Sequence, residues 1–168
     1  MTLLDDANLA TLAARVAVRA IHTRTAICSA ESCTGGLVAY LLTDTPGVSA
    51  VFQGSIVAYA NRAKTELLGV EQRVLDLYGA VSEEVALAMA RGACERLHAE
   101  VGVATTGIAG PGGGTVEKPV GLVYVAASGR GIDTCRRFEF GGDRTENVRA
   151  AAFEALRLLA EALPIVRS

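Results

Sequence analysis

The chain has 168 residues, a length at which one domain is expected, so we predict a single domain over residues 1–168. Hydrophobic residues make up 51% of the chain and the mean hydropathy is +0.34, which excludes an intrinsically disordered protein. The 16 Lys and Arg residues are scattered and the net charge is −2, which argues against a nucleic-acid partner.

Hydrophobic periodicity and turn residues divide the chain into alternating helices and strands. In chain order they predict a helix over 6–23, a strand over 25–30, a helix that the pair Gly35 and Gly36 opens and that ends at 43, a strand over 54–60, helices over 62–68, 71–77 and 83–99, strands over 101–109, 122–127 and 135–140, and a helix over 144–163. Residues 110–120 (GPGGGTVEKPV) contain too much Gly and Pro for a regular element.

Local signals mark several element ends. Asn61 and Ser82 directly precede predicted helices, where their side chains are expected to act as N-caps. Asp143 is followed three residues later by Glu146, a pattern that resembles a capping box. Residues 129–131 (GRG) separate two predicted strands and indicate a hairpin.

The apolar residues are mostly Ala, Val and Leu, which suit the packing of helices on a sheet. Together with the order of elements, this composition predicts an α/β fold. We expect one domain with a mixed β-sheet of about five strands and helices on both faces, a three-layer α/β/α arrangement. The order of strands within the sheet does not follow from the sequence.

The sequence offers no sign of a membrane or secreted protein. Its longest apolar stretches, such as residues 121–128, are far shorter than the roughly 20 residues of a membrane span. No basic region precedes an apolar run near Met1, so we predict no secretory signal and expect a cytoplasmic protein without a membrane partner. The four cysteines form no CxxC pair or Cys/His cluster, so neither a disulfide framework nor a metal site is expected.

Residues 31–36 (ESCTGG) lie where the first strand passes into the second helix, which predicts Ser32 at the carboxyl edge of the sheet. Free backbone N–H groups gather at a helix start, and they suit a phosphate or the oxyanion of a tetrahedral intermediate. Ser32 is therefore a candidate nucleophile, and Thr34, Gly35 and Gly36 are candidate ligand contacts. The alternative is that Ser32 or Thr34 only caps the helix.

Two histidines and a cysteine are further candidates for a catalytic base or nucleophile. His22 and His98 lie inside or at the end of amphipathic helices, where surface or hydrogen-bonded histidines are ordinary, so a Ser-His-Asp triad is disfavoured. Cys33 is the rival nucleophile, because a helix N-terminus stabilises a thiolate.

Lys64 is the stronger candidate for a base. It lies near the third position of its helix, where the helix dipole disfavours a cation by about 0.3–1 kcal/mol. Burial by the apolar neighbours Val57, Tyr59 and Leu67 would have to lower its pKa further before it could accept a proton. The alternative is a solvated surface lysine.

A second candidate region lies at the end of the strand over 101–109. Thr106 and Gly107 lead into the glycine loop, whose backbone N–H groups could hold an anion. The loop has neither the Gly-Lys-Ser/Thr ending of a Walker A motif nor the position of a dinucleotide fingerprint. Arg144 could bind a phosphate, although a surface arginine near a helix cap is the ordinary case.

Six segments, in order along nearly the whole chain, resemble the CinA C-terminal domain family. They are AESCTGG (30–36), GSIVAYANRAK (54–64), GAVSEEVA (79–86), TTGIAGPGGGT (105–115), KPVG (118–121) and FGGDR (140–144). The resemblance implies hydrolysis of the carboxamide of nicotinamide mononucleotide to nicotinic acid mononucleotide and ammonia, without a metal or cofactor. The partner would be a small-molecule nucleotide substrate.

The resemblance also implies roles for individual residues. Ser32 would be the nucleophile and Lys64 its base, while Tyr59, Ser49 and Thr106 would lie around the amide or the ribose phosphate. A function of a different class, a non-catalytic nucleotide- or phosphate-binding or interaction module, would use the same anion-binding loops without breaking a bond. We also expect a homo-oligomer, because the apolar fraction is high for a short chain.

Overall fold

The computed structural model describes residues 6–165, with the side chains of 7–165. Its elements are α1 (Asp6–Thr23), β1 (Ile27–Glu31), α2 (Leu37–Thr43), a 3₁₀ turn (Val48–Ala50), β2 (Phe52–Val57), α3 (Asn61–Leu68), α4 (Gln72–Tyr78), α5 (Glu83–Leu97), β3 (Val101–Gly107), β4 (Leu122–Gly129), β5 (Ile132–Glu139) and α6 (Arg144–Ala162). No helix in this part of the chain is long and apolar enough to span a membrane.

The five strands form one mixed sheet in the order β2-β1-β3-β4-β5. β1 pairs in parallel with both β2 and β3, whereas β4 is antiparallel to β3 and to β5. The carboxyl ends of β1, β2 and β3 therefore lie at one edge of the sheet. The start of β4 and the end of β5 lie at that same edge.

Two hydrophobic cores cover the two faces of the sheet, which confirms the predicted three-layer α/β/α fold. One core packs α1, α2 and α6 against the sheet, and the other packs α3, α4 and α5. Neighbouring residues of β1 contribute to opposite cores, since Ile27 belongs to the first and Cys28 to the second. This alternation follows from the two-residue period of a strand.

Two of the predicted helix starts are confirmed in detail. Ser82 Oγ accepts the backbone N–H of Val85 at 3.3 Å at the start of α5. At the start of α6, Asp143 Oδ1 accepts the Glu146 N–H at 2.9 Å, and Glu146 Oε2 accepts the Asp143 N–H at 2.9 Å. These reciprocal bonds form the capping box that the sequence pattern indicates.

The prediction that Asn61 caps α3 is wrong. Ala60 is the N-cap residue, with extended backbone and no side-chain cap, and its carbonyl already accepts the Lys64 N–H at 3.1 Å. Asn61 is therefore the first residue of the helix. Lys64 consequently occupies the fourth helical position, not the third.

The predicted strand boundaries differ from the observed ones most in β2 and β5. β2 covers Phe52–Val57 instead of 54–60, because the chain leaves the sheet after Val57 to enter the loop before α3. β5 begins at Ile132 instead of 135, because Arg130 and Gly131 adopt positive φ and make a tight turn that pairs Gly129 with Ile132. α5 ends at Leu97, two residues early, where His98 turns into the left-handed region with a φ of 53°.

Candidate active site

The sheet topology brings five of the six motifs to one edge. ESCTGG follows β1, YANRAK follows β2, the glycine loop follows β3, KPVG leads into β4, and FGGDR links β5 to α6. The sixth, GAVSEEVA, begins α5, whose N-terminus lies at the same edge because the helix runs back toward the start of β3. The carboxyl edge of parallel strands is where α/β sheets commonly bind ligands. The prediction that Ser32 lies at this edge, between β1 and α2, is confirmed.

Ser32 and Lys64 are in direct contact. The Lys64 Nζ lies 3.1 Å from the Ser32 Oγ, although 32 residues separate them along the chain. Both side chains are buried, with relative exposures of 8% for Ser32 and 1% for Lys64. The alternative of a solvated surface lysine is therefore wrong.

The other contacts of the Lys64 amine suit a base. Nζ donates to the carbonyl oxygens of Ala58 and Tyr59, each at 3.0 Å. A neutral amine has two N–H groups and one lone pair, so these two carbonyls occupy both donors and leave the lone pair for the hydroxyl of Ser32. Burial lowers the pKa of Lys64, which favours this neutral form.

The burial of Lys64 does not come from the expected neighbours. Val57, Tyr59 and Leu67 are 45%, 60% and 49% exposed, respectively. Lys64 lies instead on the inner face of α3, one turn before the buried Leu68, and α3 packs on α5. Its removal from water is what lowers its pKa.

The start of α2 is not open to a ligand, contrary to the sequence-based expectation. The carboxylate of Glu31 accepts the backbone N–H groups of Gly36, Val38 and Ala39 at 2.9, 3.1 and 2.9 Å. An anion inside the protein thus already occupies the N-terminal amides of this helix. A phosphate or an oxyanion must use other donors.

Two free amides remain beside the nucleophile. The backbone N–H groups of Cys33 and Thr34 directly follow Ser32, and neither donates to a backbone carbonyl within residues 6–165. The N–H of Ser32 itself donates to the Thr105 carbonyl at 3.0 Å, which ties the turn to β3. Unpaired backbone donors next to a nucleophile are the groups that commonly form an oxyanion hole.

Among the ligand contacts predicted in the ESCTGG turn, Thr34 points inward. Its hydroxyl donates to Glu31 Oε2 at 2.7 Å and lies 2.8 Å from the Thr105 hydroxyl. Gly35 is exposed at a φ of +61°, with open space around the position of a Cβ, so it is the residue of the turn that a ligand can approach. Gly36 is the N-cap of α2, and its N–H is held by Glu31.

The last two residues of β3 also have structural roles. The buried Thr106 donates its hydroxyl to the Ala80 carbonyl at 2.7 Å, which links β3 to the loop before α5. A Cβ on Gly107 would lie 2.6 Å from Val123 Cγ2 and 2.7 Å from the Leu122 carbonyl oxygen. The glycine is therefore required by its close approach to β4.

Arg144 lies at the rim of the site. Its Nη1 donates to the Gly110 carbonyl at 2.7 Å, and its Nη2 donates to the Tyr59 hydroxyl at 3.2 Å. The guanidinium thus joins the glycine loop to the residue whose carbonyl accepts Lys64. Both Arg144 and Tyr59 are exposed, so their polar ends are accessible to a charged ligand.

Three other candidates lie at the opposite edge of the sheet. Ser49 is exposed in the 3₁₀ turn before β2, close to the start of β1, and the length of β1 separates it from Ser32 by about 13 Å. His22 and His98 precede β1 and β3, and they are exposed at that same distant edge. Within one chain, none of the three can touch the Ser32–Lys64 pair.

Cys33 is a poor nucleophile in this environment. Its side chain is buried, and burial raises the pKa of the thiol to about 12 despite hydrogen bonds that act in the opposite direction. A thiol with such a pKa carries almost no thiolate at neutral pH. The geometry therefore favours Ser32 over its neighbour.

Sequence reasoning missed three polar residues that hold the site together. Glu31 accepts the first amides of α2, and its signal is an acidic residue at the end of an apolar strand just before a helix. The buried Asn147 donates to the carbonyls of Ala109 and Gly142, and the Lys118 amine donates to those of Tyr78 and Val81. No spacing rule in the sequence points to the last two.

Comparisons with known proteins agree with this fold and these motifs. The chain is 53% identical over 139 residues to a CinA-like protein of Geotalea uraniireducens, covering 83% of this chain and 33% of that protein. It is 62% identical over 106 residues to a CinA-like protein of Akkermansia muciniphila, covering 63% of this chain and 26% of that one. The chain thus spans about a third or less of these curated relatives.

Solved structures match over nearly their full length. A competence/damage inducible protein of Agrobacterium tumefaciens is 43% identical with a TM-score of 0.91, covering 96% of this chain and 98% of that one. A CinA superfamily protein of Escherichia coli is 34% identical with a TM-score of 0.90, covering 97% and 95%. The sequence model of the CinA C-terminal domain matches residues 9–163. The chain therefore belongs to the CinA C-terminal domain family.

Proposed function

We propose that this chain is an amidohydrolase that converts nicotinamide mononucleotide to nicotinic acid mononucleotide and ammonia, with Ser32 as nucleophile and Lys64 as general base. The observation that carries the proposal is the buried contact between Lys64 Nζ and Ser32 Oγ at 3.1 Å. The resemblance of the surrounding motifs to nicotinamide mononucleotide deamidases supports the choice of substrate.

Acylation uses the neutral form of Lys64. The amine takes the proton of the Ser32 hydroxyl while Oγ attacks the carbonyl carbon of the amide, and the free N–H groups of Cys33 and Thr34 stabilise the oxyanion. The Lys64 ammonium then gives its proton to the departing nitrogen. Ammonia leaves, and the acyl group remains on Ser32 as an ester.

Deacylation repeats these steps with water. The neutral Lys64 amine takes a proton from a water molecule that attacks the ester carbonyl. The tetrahedral intermediate collapses, the proton returns to Ser32 Oγ, and the carboxylate product leaves. The overall reaction consumes one water and releases one ammonia, and it returns Ser32 and Lys64 to their starting states.

Arg144 is the proposed contact for the substrate phosphate. Its guanidinium is exposed at the rim of the site, where Tyr59 and the glycine loop orient it. Guanidinium groups bind phosphate through paired, charge-assisted hydrogen bonds. The N-terminus of α2 is not available for this role because Glu31 occupies it.

A coupled assay for ammonia, with the purified chain and nicotinamide mononucleotide, tests the proposal. We expect ammonia and nicotinic acid mononucleotide in equal amounts. Titration calorimetry with the same nucleotide provides the comparison, because a non-catalytic binding module would show heat of binding without ammonia. Binding without release of ammonia would refute the proposed reaction.

A further inference from the structure

Glu31 is fully buried at the end of β1, and the proposed reaction does not use it. We propose that Glu31 is a positioning residue that holds the turn over residues 32–36 so that Ser32 and the two free amides face the substrate. This inference rests on the proposed function in one respect only, the assignment of Ser32 as nucleophile.

The carboxylate of Glu31 is surrounded by donors. Besides the three backbone amides at the start of α2, its other three hydrogen-bonding contacts are with hydroxyl groups, and the shortest of these is the bond from Thr34 at 2.7 Å. The hydroxyls of Ser29 and Ser55 each lie 3.3 Å from Oε1 and 2.8 Å from each other. Backbone N–H groups can only donate, so the site requires an acceptor at both carboxylate oxygens, which an ionised carboxylate provides.

The direction of the hydroxyl protons follows from this arrangement. Because Glu31 accepts, Thr34 must donate its single proton to Oε2. The Thr105 hydroxyl, 2.8 Å from Thr34, must then donate to the Thr34 oxygen. A chain of hydrogen bonds therefore runs from β3 through the turn to Glu31.

Glu31 and Lys64 hold the turn from opposite faces of the sheet. Glu31 contacts the amides of α2, on the face that α1, α2 and α6 cover, whereas Lys64 reaches Ser32 from α3 on the other face. The carboxylate thus does not touch the reacting atoms. Its loss would release the turn, and Ser32 Oγ would lose its alignment with the amine and with the oxyanion donors.

The reactivity of Ser32 toward an alkyl fluorophosphonate measures this alignment without any assumption about the natural substrate. Ser32 Oγ forms a bond to phosphorus, fluoride leaves, and Lys64 takes the hydroxyl proton. Intact-protein mass spectrometry gives both the rate constant and the final labelled fraction. The rate constant reports on alignment, whereas the labelled fraction reports on how much protein is folded.

Two variants disrupt the hydrogen bonds between Glu31 and the turn, and two control variants keep them. Glu31→Gln places an NH₂ group against backbone donors, and Thr34→Val removes the shortest hydrogen bond to the Glu31 carboxylate. We expect each variant to slow labelling at least about 10-fold and still to reach a full final labelled fraction. Thr34→Ser keeps the hydroxyl and should recover most of the rate that Thr34→Val loses. Ser55→Ala removes one long bond to the same carboxylate and a bond to Ser29, both away from the turn, and should label within about 2-fold of wild type.

Labelling of Glu31→Gln and Thr34→Val at the wild-type rate would overturn the inference, and so would a Thr34→Ser rate as low as that of Thr34→Val. If Glu31→Gln does not fold, the Thr34 pair decides. Wild-type protein that leaves Ser32 unlabelled would also overturn it. If Ser32 is labelled but nicotinamide mononucleotide is not hydrolysed, only the proposed substrate fails, and the variant rates still decide the role of Glu31.

Discussion

Lys64→Met replaces the buried amine with an apolar side chain of similar length, and we expect it to abolish hydrolysis without unfolding the protein. A positioned general base contributes about 10²–10⁴-fold to a rate, so ammonia release should fall at least about 100-fold. The fold loses the hydrogen bonds to the carbonyls of Ala58 and Tyr59, at about 1 kcal/mol each. The free energy of unfolding should therefore change by no more than about 3 kcal/mol.

The pH dependence of stability tests the lowered pKa of Lys64 separately from activity. Between that lowered pKa and the unfolded value of about 10.4, the unfolded chain binds a proton at Lys64 that the folded chain does not. Wild type should therefore gain stability relative to Lys64→Met as the pH rises through this window, by at most about 1.4 kcal/mol per pH unit. Urea unfolding of both proteins at several pH values up to about 10 measures the difference.

A difference in stability that stays constant across this window would refute the reasoning, because it would show that the folded chain binds the Lys64 proton as the unfolded chain does.

Lys118→Met is the matched control for activity. Its amine also donates to two backbone carbonyls, those of Tyr78 and Val81, but it does not contact Ser32. We expect it to lose stability and to keep most of its hydrolysis.

Three further predictions address the nucleophile, the packing of α3 and the phosphate. Cys33→Ala should keep its rate of ammonia release within about tenfold of wild type, because burial raises the thiol pKa to about 12; a larger loss would favour the thiol. Gly92→Ala should destabilise the protein in urea unfolding by at least about 1–3 kcal/mol, because the new Cβ would lie 1.9 Å from the Leu68 carbonyl oxygen. The control Gly112→Ala, which has open space around its Cβ, should change stability by less than about 0.5 kcal/mol. Equal stability of the two would contradict the packing of α5 on α3. Arg144→Gln should raise the KM for nicotinamide mononucleotide about 10-fold and leave hydrolysis of nicotinamide riboside unchanged; equal effects on both substrates would exclude a phosphate contact.

Local chemistry explains which parts of the fold the sequence predicts well. The capping box of Asp143 and Glu146 and the cap at Ser82 depend on residues within three positions of each other, so their spacing is sufficient. Asn61 has the right residue type for a cap, but the preceding Ala60 already closes the first turn of α3. The strand order depends on pairings between distant segments, which no local pattern specifies.

In the candidate site, too, local sequence predicts some features and contacts between distant segments decide the others. The place of Ser32 at a strand-to-helix junction follows from local sequence, and its contact with Lys64 follows from the parallel pairing of β1 and β2. The helix N-terminus was expected to be open because the sequence does not show where the Glu31 side chain turns. Ser49 was expected near the amide or the ribose phosphate through family resemblance alone, and the topology places it at the far edge of the sheet.

The rate of ammonia release from nicotinamide mononucleotide by Ser32→Ala, compared with wild type, tests the proposed Ser32–Lys64 reaction most directly. The Ser32 hydroxyl, which the variant removes, contacts Lys64, whereas the backbone bond of Ser32 to Thr105 is kept, so the variant should fold and still bind the nucleotide. We predict that its turnover falls by several orders of magnitude. A variant that keeps more than roughly a tenth of the wild-type rate, a loss of less than about 1.4 kcal/mol in transition-state stabilisation, would contradict the assignment of Ser32 as nucleophile.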